Sequence, residues 1–324
     1  MNPLTGIYGA ATALRNTLFD RGVLSSRRLG LPVVSVGNLS VGGAGKTPFV
    51  IALGELLRAR GIRFDVLSRG YGRKTHGFSV VDPDGNAADF GDEPLLIARR
   101  LDAPVIIGEN RYDAGRVGEQ KFQPQLHILD DGFQHRSLAR GFDIVLLTER
   151  DFDDKLLPSG RLREPFSSLQ RADGIVLPQK SSAQHFSERN LMIEGFARQG
   201  KLVWRMKREI VLAAAPVAPI VFCGIARPQQ FFAQVRAAGV TPAAEVEFCD
   251  HHAYNRSDIE RLLAMRGKAG ADGFLTTEKD AVNLGSLQAD LKPFAVAALS
   301  LTLDRPTEVV DAILARIAKP KPRS

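Results

Sequence analysis

A short β-branched run, Val33-Val34-Ser35-Val36, leads into the glycine-rich stretch Ser40-Val41-Gly42-Gly43-Ala44-Gly45-Lys46-Thr47, after which Phe49, Val50, Leu53, Leu56 and Leu57 recur at helical spacing. A strand, a tight loop and a helix in that order restrict the chain to folds that bring a parallel strand to a helix N-terminus. Three glycines let main-chain N–H groups turn inward around a phosphate, Lys46 can reach the outer phosphates, and the Thr47 hydroxyl can ligate Mg²⁺. The positive end of the helix dipole favours the same anion, and Gly61 falls just past the helix end. The usual form of such a loop opens on glycine where Ser40 stands, so the turn is expected to use a residue that tolerates positive φ less well. An ordinary Gly-rich turn is the plainer alternative, but the Lys-Thr pair favours a nucleoside triphosphate bound by Ser40 through Thr47.

From Leu31 to about Lys180, apolar strand-like runs alternate with helical patterns: Phe64 to Leu67, Pro104 to Ile107, Leu126 to Leu129, Ile144 to Leu147 and Ile175 to Leu177. That alternation predicts a parallel α/β sheet, whose ligands sit beyond the carboxyl ends of the strands. Between about Lys201 and Pro219 a basic stretch gives way to an Ala/Pro-rich one, which reads as a hinge. Beyond it come a strand at Ile220 to Phe222, helices near Pro228 to Ala238 and Asp258 to Met265, and strands near Phe274 and Ala295, a smaller α/β domain. The expected division is therefore 1–30, 31–205 and 206–324.

The 324 residues suffice for two domains, each with its own core. Cys223 and Cys249 form neither a disulfide framework nor a zinc spacing, which fits a reducing compartment and two core thiols. A net charge of +7 points to an anionic partner without choosing among nucleotide, nucleic acid and membrane surface. No run reaches the roughly 18 apolar residues of a spanning helix, and the N-terminus lacks signal-peptide features, so a cytosolic chain is expected. Within the first thirty residues Ile7, Ala11, Leu14 and Leu18 share a helical stripe, while Arg15, Arg21, Arg27 and Arg28 outnumber Asp20. Such a basic amphipathic helix either lies in a bilayer interface or packs on its own domain.

Asp130 and Asp131 end the run Leu126-His127-Ile128-Leu129, where a phosphate-loop enzyme places the carboxylate that holds Mg²⁺; an Asp-Gly turn leaves the second acid unexplained. In Gly91-Asp92-Glu93-Pro94, Asp92 alone reads as an N-cap and Glu93 as a first-turn acid. Glu109, Asn110 and Arg111 follow a strand and suit an anionic or sugar-like substrate or plain solvation. Arg161, Arg163 and Glu164 combine phosphate-type cations with an acid in a turn-rich segment, or form a plain surface loop. Asp250 beside His251 and His252 is a proton-handling pair or a structural turn.

Taken together, Val36 through Pro48, Ser68-Arg69-Gly70-Tyr71-Gly72, Gly91-Asp92-Glu93-Pro94, Asp130-Asp131-Gly132-Phe133-Gln134-His135, Gly160-Arg161-Leu162-Arg163-Glu164-Pro165 and Thr277-Glu278-Lys279-Asp280-Ala281-Val282 closely resemble the tetraacyldisaccharide 4'-kinases of lipid A biosynthesis. The resemblance spans nearly the whole chain, and that family also lacks the first loop glycine. It implies transfer of the ATP γ-phosphate, with Mg²⁺, to the 4'-hydroxyl of a membrane-embedded acylated glucosamine disaccharide 1-phosphate, giving lipid IVA. Carried over by position, Lys46 and Thr47 would handle phosphates and Mg²⁺, Asp130 or Asp131 with Glu164 would position the metal, and Asp92 would be the base. His251 matches the second catalytic position, His252 being the lesser choice, and Asn110, Arg111 and Arg163 are the substrate candidates.

The same resemblance implies two α/β/α units joined by a hinge, whose closure would expel water from the γ-phosphate. It also implies an N-terminal helix on the anionic cytoplasmic face of the inner membrane, and no nucleic-acid partner. A GTPase or metallochaperone is the competing enzyme class, but guanine recognition usually shows Asn-Lys-x-Asp, and Thr277-Glu278-Lys279-Asp280 has its lysine one place late. A nucleotide-gated membrane adaptor is the non-enzymatic alternative.

Overall fold

The computed structural model describes residues 2–179 and 187–318; Lys180, the expected end of the first α/β run, lies outside them. Its strands are β1 Val33–Asn38, β2 Phe64–Ser68, β3 Ser79–Val80, β4 Val105–Ile107, β5 Leu126–Asp130, β6 Phe142–Leu146, β7 Gly174–Pro178, β8 Leu202–Leu212, β9 Ile220–Cys223, β10 Ala244–Glu247, β11 Phe274–Thr277 and β12 Phe294–Leu303. The chain divides into two compact units, one of Met1–Arg69, Ala103–Lys207 and Thr302–Ser324, the other of Gly70–Asp102 and Arg208–Leu301.

In the first unit β8-β7-β6-β1-β5-β2-β4 run side by side, and the pairings of β1 with β5 and β6, β2 with β4 and β5, and β7 with β6 and β8 are all parallel. β1, β2, β5 and β6 are buried along their whole length, as befits parallel strands covered on both faces. The central β1 ends at Asn38, and the glycine-rich loop leaves the carboxyl end of the sheet there. A buried Asp65–His127 contact of 2.6 Å joins neighbouring β2 and β5.

The second unit carries β10-β9-β11-β12, with β9 paired in parallel to β10 and β11, and β11 to β12. Alternate residues of β9 serve opposite faces. Ile220 and Phe222 cluster with Ile259 and Leu262 of the helix Arg256–Ala269, whereas Val221 and Cys223 cluster with Phe231, Phe232 and Val235 of the helix Pro228–Ala237. This is the expected α/β/α layering on a smaller scale.

Three expectations change. The units are not the contiguous blocks 31–205 and 206–324. The helix Pro306–Ile317 belongs with the first unit, where Asp311 meets Arg60 at 2.9 Å and Asp304 accepts from the Arg205 amide. Residues 70–102 belong with the second, where Arg100 pairs with Glu278 at 2.6 Å. The basic part of the expected hinge is instead a strand. Trp204 and Met206 of β8 are buried and Lys207 is exposed, a period-2 alternation that its charges hid. Cys249 is exposed rather than a core thiol; only Cys223 is buried, and burial pushes its thiol up.

Candidate functional site

The glycine-rich loop bends at Gly42, Gly43 and Gly45, which have φ of 75°, 58° and 83°, conformations that a Cβ would strain. Ser40 has no such φ. It is fully buried and bridges Leu162 in antiparallel fashion, while the Val41 amide donates to Arg161 O at 2.8 Å and the Arg163 amide to Leu39 O at 2.7 Å. The turn therefore does not need glycine at position 40, because the chain there is still extended against the Arg161–Arg163 segment. The helix Lys46–Ala59 starts on Gly45 with no side-chain cap, which leaves its positive end open to an anion.

Lys46 and Thr47 open that helix. The Lys46 ammonium donates to Asn38 Oδ1 at 3.1 Å and lies 3.4 Å from Asp131 Oδ1. Arg163 forks onto Asp131, at 2.8 Å to Oδ1 and 3.0 Å to Oδ2, and also donates to Asn38 Oδ1. Burial would raise the Asp131 carboxyl, but the two cations outweigh it and hold the group well below the ordinary carboxylate range.

Asp130 is buried at the end of β5, and its Oδ2 accepts from Ser68 Oγ at 3.0 Å. Glu164 is buried and accepts on Oε2 from Arg171 at 2.9 Å and from Asn16 at 2.7 Å, whereas its Oε1 has no hydrogen-bond partner among the described residues. Among the described residues no three His, Cys, Asp or Glu side chains form a metal cage. Mg²⁺ takes one or two carboxylates and completes its shell with phosphate and water. Thr47 and Asp130 offer the hard oxygen donors it requires, whereas both oxygens of Asp131 are committed to cations.

The substrate candidates have separate local duties. Asn110 caps the helix Arg111–Phe122, accepting from the Tyr112 amide at 3.1 Å and donating to Asp113. Arg111 is buried and donates to Glu109 O at 2.8 Å.

In the second unit Asp92 is the first residue of the helix Asp92–Leu101; the N-cap is Gly91, whose φ of 85° brings a would-be Cβ to 2.8 Å from Tyr71 O. Only glycine fits there, and it sets Asp92 at the helix end with 4% exposure. Asp92 Oδ1 accepts from the Glu93 amide at 2.8 Å, and Oδ2 meets His251 Nδ1 at 2.9 Å and Asn283 Nδ2 at 3.2 Å. Burial favours the neutral acid, but His251, Lys279 and Asn283 together lower its pKa, so the carboxylate stays ionised. The hydrogen bond to Asp92 raises the pKa of His251 against burial and Lys279. His252 turns elsewhere, to Asp258 at 2.9 Å.

Lys279 and Asn283 went unassigned in the sequence. The signal for Lys279 was the string Thr277-Glu278-Lys279-Asp280, in which Thr277 caps a helix and buried Asp280 accepts from Gly224 N at 2.7 Å and Tyr254 Oη at 2.9 Å.

The family model of LpxK, tetraacyldisaccharide-1-P 4'-kinase, matches residues 1–318. A tetraacyldisaccharide 4'-kinase of Koribacter versatilis is 48% identical, covering 97% of this chain and 98% of its own. One of Geobacter metallireducens is 38% identical over 94% of each. The solved structure of LpxK from Aquifex aeolicus in complex with ATP superposes with a TM-score of 0.78 at 33% identity, covering 97% of both chains.

Proposed function

The chain belongs to the tetraacyldisaccharide-1-P 4'-kinase family, and we propose that it carries out that family's reaction with the loop at Ser40–Thr47 as phosphate cradle and Asp92 as base. It is an ATP-dependent kinase that phosphorylates the 4'-position of the tetraacyldisaccharide in lipid A biosynthesis. The observation that supports Asp92 is its state: a carboxylate with 4% exposure kept ionised at a helix N-terminus, with His251 at 2.9 Å.

A sugar hydroxyl is a weak acid, and phosphoryl transfer asks the protein mainly for in-line positioning and charge neutralisation. The 4'-oxygen bonds to the γ-phosphorus as the bridging oxygen leaves with ADP, and the hydroxyl proton passes late to Asp92. Lys46 and the main-chain amides of the loop hold the triphosphate. Thr47 and Asp130 would hold Mg²⁺, with Glu164 Oε1 as an outer acceptor; the ion supplies neutralisation of the phosphate oxygens. Arg163, anchored on Asp131, carries positive charge beside Lys46.

Among the described residues no helix is long and apolar enough to cross a membrane. The helix Pro3–Asp20 is held to its unit by Tyr8 on Arg163 O at 2.9 Å and by Asn16 on Glu164, while Leu4, Ile7 and Leu14 are 58%, 66% and 61% exposed. An apolar stripe turned outward beside basic residues supports a peripheral place on the cytoplasmic face of the inner membrane, where the acylated substrate resides.

Purified Asp92→Ala incubated with radiolabelled ATP and the disaccharide monophosphate is expected to transfer no phosphate while binding MgATP with wild-type affinity by calorimetry. Retained transfer would remove Asp92 from the base role. Mass spectrometry of the wild-type product should place the added phosphate on the distal sugar.

A further inference from the structure

Lys279 lies in the same unit as the Asp92–His251 pair, on the first turn of the helix Glu278–Leu284. Its side chain is 17% exposed, and its ammonium is central to three carboxylates: Asp92 Oδ2 at 3.7 Å, Glu93 Oε1 at 3.5 Å and Asp250 Oδ1 at 3.6 Å. It also stands 3.2 Å from His251 Nε2. Burial alone would strip the proton from such an amine, but Glu93, Asp92 and Asp250 outweigh it and raise its pKa, so the group is an ammonium with donors only.

That settles which hydrogen each ring nitrogen of His251 can carry. An ammonium hydrogen at 3.2 Å needs a lone pair opposite it, so Nε2 is bare. The single ring proton is then on Nδ1, donated to Asp92 Oδ2 at 2.9 Å. Asp92 favours a second proton on the imidazole, and Asp250 Oδ2 at 3.9 Å from Nε2 favours it too. Lys279 opposes it by occupying the one place where that proton would go. The Tyr71 ring also lies 5.4 Å from the imidazole centroid.

We propose that Lys279 is a positioning residue for the kinase reaction: its ammonium, set against His251 Nε2, holds the Nδ1–H tautomer and limits the second protonation that Asp92 promotes, so that Asp92 remains a carboxylate able to take the sugar proton. Without it, His251 takes up a proton at Nε2 and pairs with Asp92 as an imidazolium, which weakens that carboxylate as a base. The catalytic consequence rests on Asp92 being the base; the tautomer does not.

The test is ¹⁵N-resolved NMR of the full chain labelled on histidine, with pH–rate profiles for wild type, Lys279→Met and Lys279→Arg. At about pH 8, wild-type His251 should show a protonated Nδ1 and a bare Nε2. In Lys279→Met the ring should become imidazolium at the same pH, and the acid limb of kcat should move up by about one pH unit. Lys279→Arg should restore both the bare Nε2 and the wild-type limb. A wild-type ring protonated on Nε2, or a Lys279→Met ring unchanged from wild type, overturns the proposal. If Lys279→Met fails to fold, the wild-type tautomer and the Lys279→Arg limb decide it. A locked tautomer together with full activity in Asp92→Ala would overturn the base assignment alone.

Discussion

Gly37→Ala tests how tightly the β1 backbone controls the phosphate cradle that begins three residues further on. A Cβ at position 37 would lie 2.5 Å from Phe133 Cβ, 2.7 Å from Phe133 N and 3.2 Å from Phe133 Cα. Carbon pairs settle at about 3.5–4.0 Å, so about 1 Å must be opened between two backbone-anchored groups. Phe133 cannot swing away: it is fully buried among Leu39, Val145 and Leu169, with the Arg171 guanidinium 4.4 Å over its ring. Overpacking of this kind costs about 1–3 kcal/mol. The displacement also reaches Asp131, because the Gly132 amide is tied to Val36 O at 3.0 Å. A shift of that size should loosen the Lys46–Asp131–Arg163 arrangement and weaken ATP binding by about tenfold or more. Urea unfolding and calorimetric titration with MgATP measure the two effects. Gly61→Ala is the control: its φ of 69° is strained, but a Cβ there meets nothing within 4 Å. It should lose about 1 kcal/mol and keep its ATP affinity. If Gly37→Ala matches Gly61→Ala in both measurements, the steric argument fails.

Gly267 sits exposed inside the helix Arg256–Ala269 with nothing within 4 Å of a would-be Cβ. Gly267→Ala should raise urea stability by about 0.5–1 kcal/mol through the unfolded chain, with no change in kcat. Ile7→Ser combined with Leu14→Ser alters two exposed side chains of the helix Pro3–Asp20. It should preserve thermal stability while cutting sedimentation with anionic vesicles roughly a hundredfold, since each side chain forfeits about 1.5 kcal/mol or more of apolar burial. Unchanged vesicle binding would detach the helix from the membrane role.

The parallel strands were legible because burial on both faces makes them short continuous apolar runs, and β1, β2, β5 and β7 lie where Val33–Val36, Phe64–Leu67, Leu126–Leu129 and Ile175–Leu177 place them. β8 escaped for the opposite reason, its alternation being carried by Arg205 and Lys207 against Trp204 and Met206. The mixed make-up of the units was hidden because it depends on contacts between distant segments, such as Arg100 with Glu278 and Arg205 with Asp304. In the site, the loop and the acids were readable from residue type and spacing. The tie between Asp92 and His251, 159 positions apart, carries no local pattern, and only the resemblance to a known family put both residues on one list. Lys279 was overlooked because a lysine beside acids looks solvated until its burial is known.

The first unit also sets an internal counter-anion between the cations of its phosphate loop. Lys46 and Arg163 both donate to the single oxygen Asn38 Oδ1, which by itself would set two like charges against each other. Asp131 stands between them as a built-in counter-anion, bound through both oxygens to Arg163 and through one to Lys46. Its φ of 50° belongs to the left-handed region, a strained placement for a non-glycine residue that the paired charges offset. The Lys46 side chain is 16% exposed in this arrangement, so its ammonium is already largely stripped of water. Arg163 keeps its bidentate grip and holds Asp131 in place. The second acid of the Asp130-Asp131 pair is thereby tied to cations, while Asp130 Oδ2 accepts from the Ser68 hydroxyl at 3.0 Å.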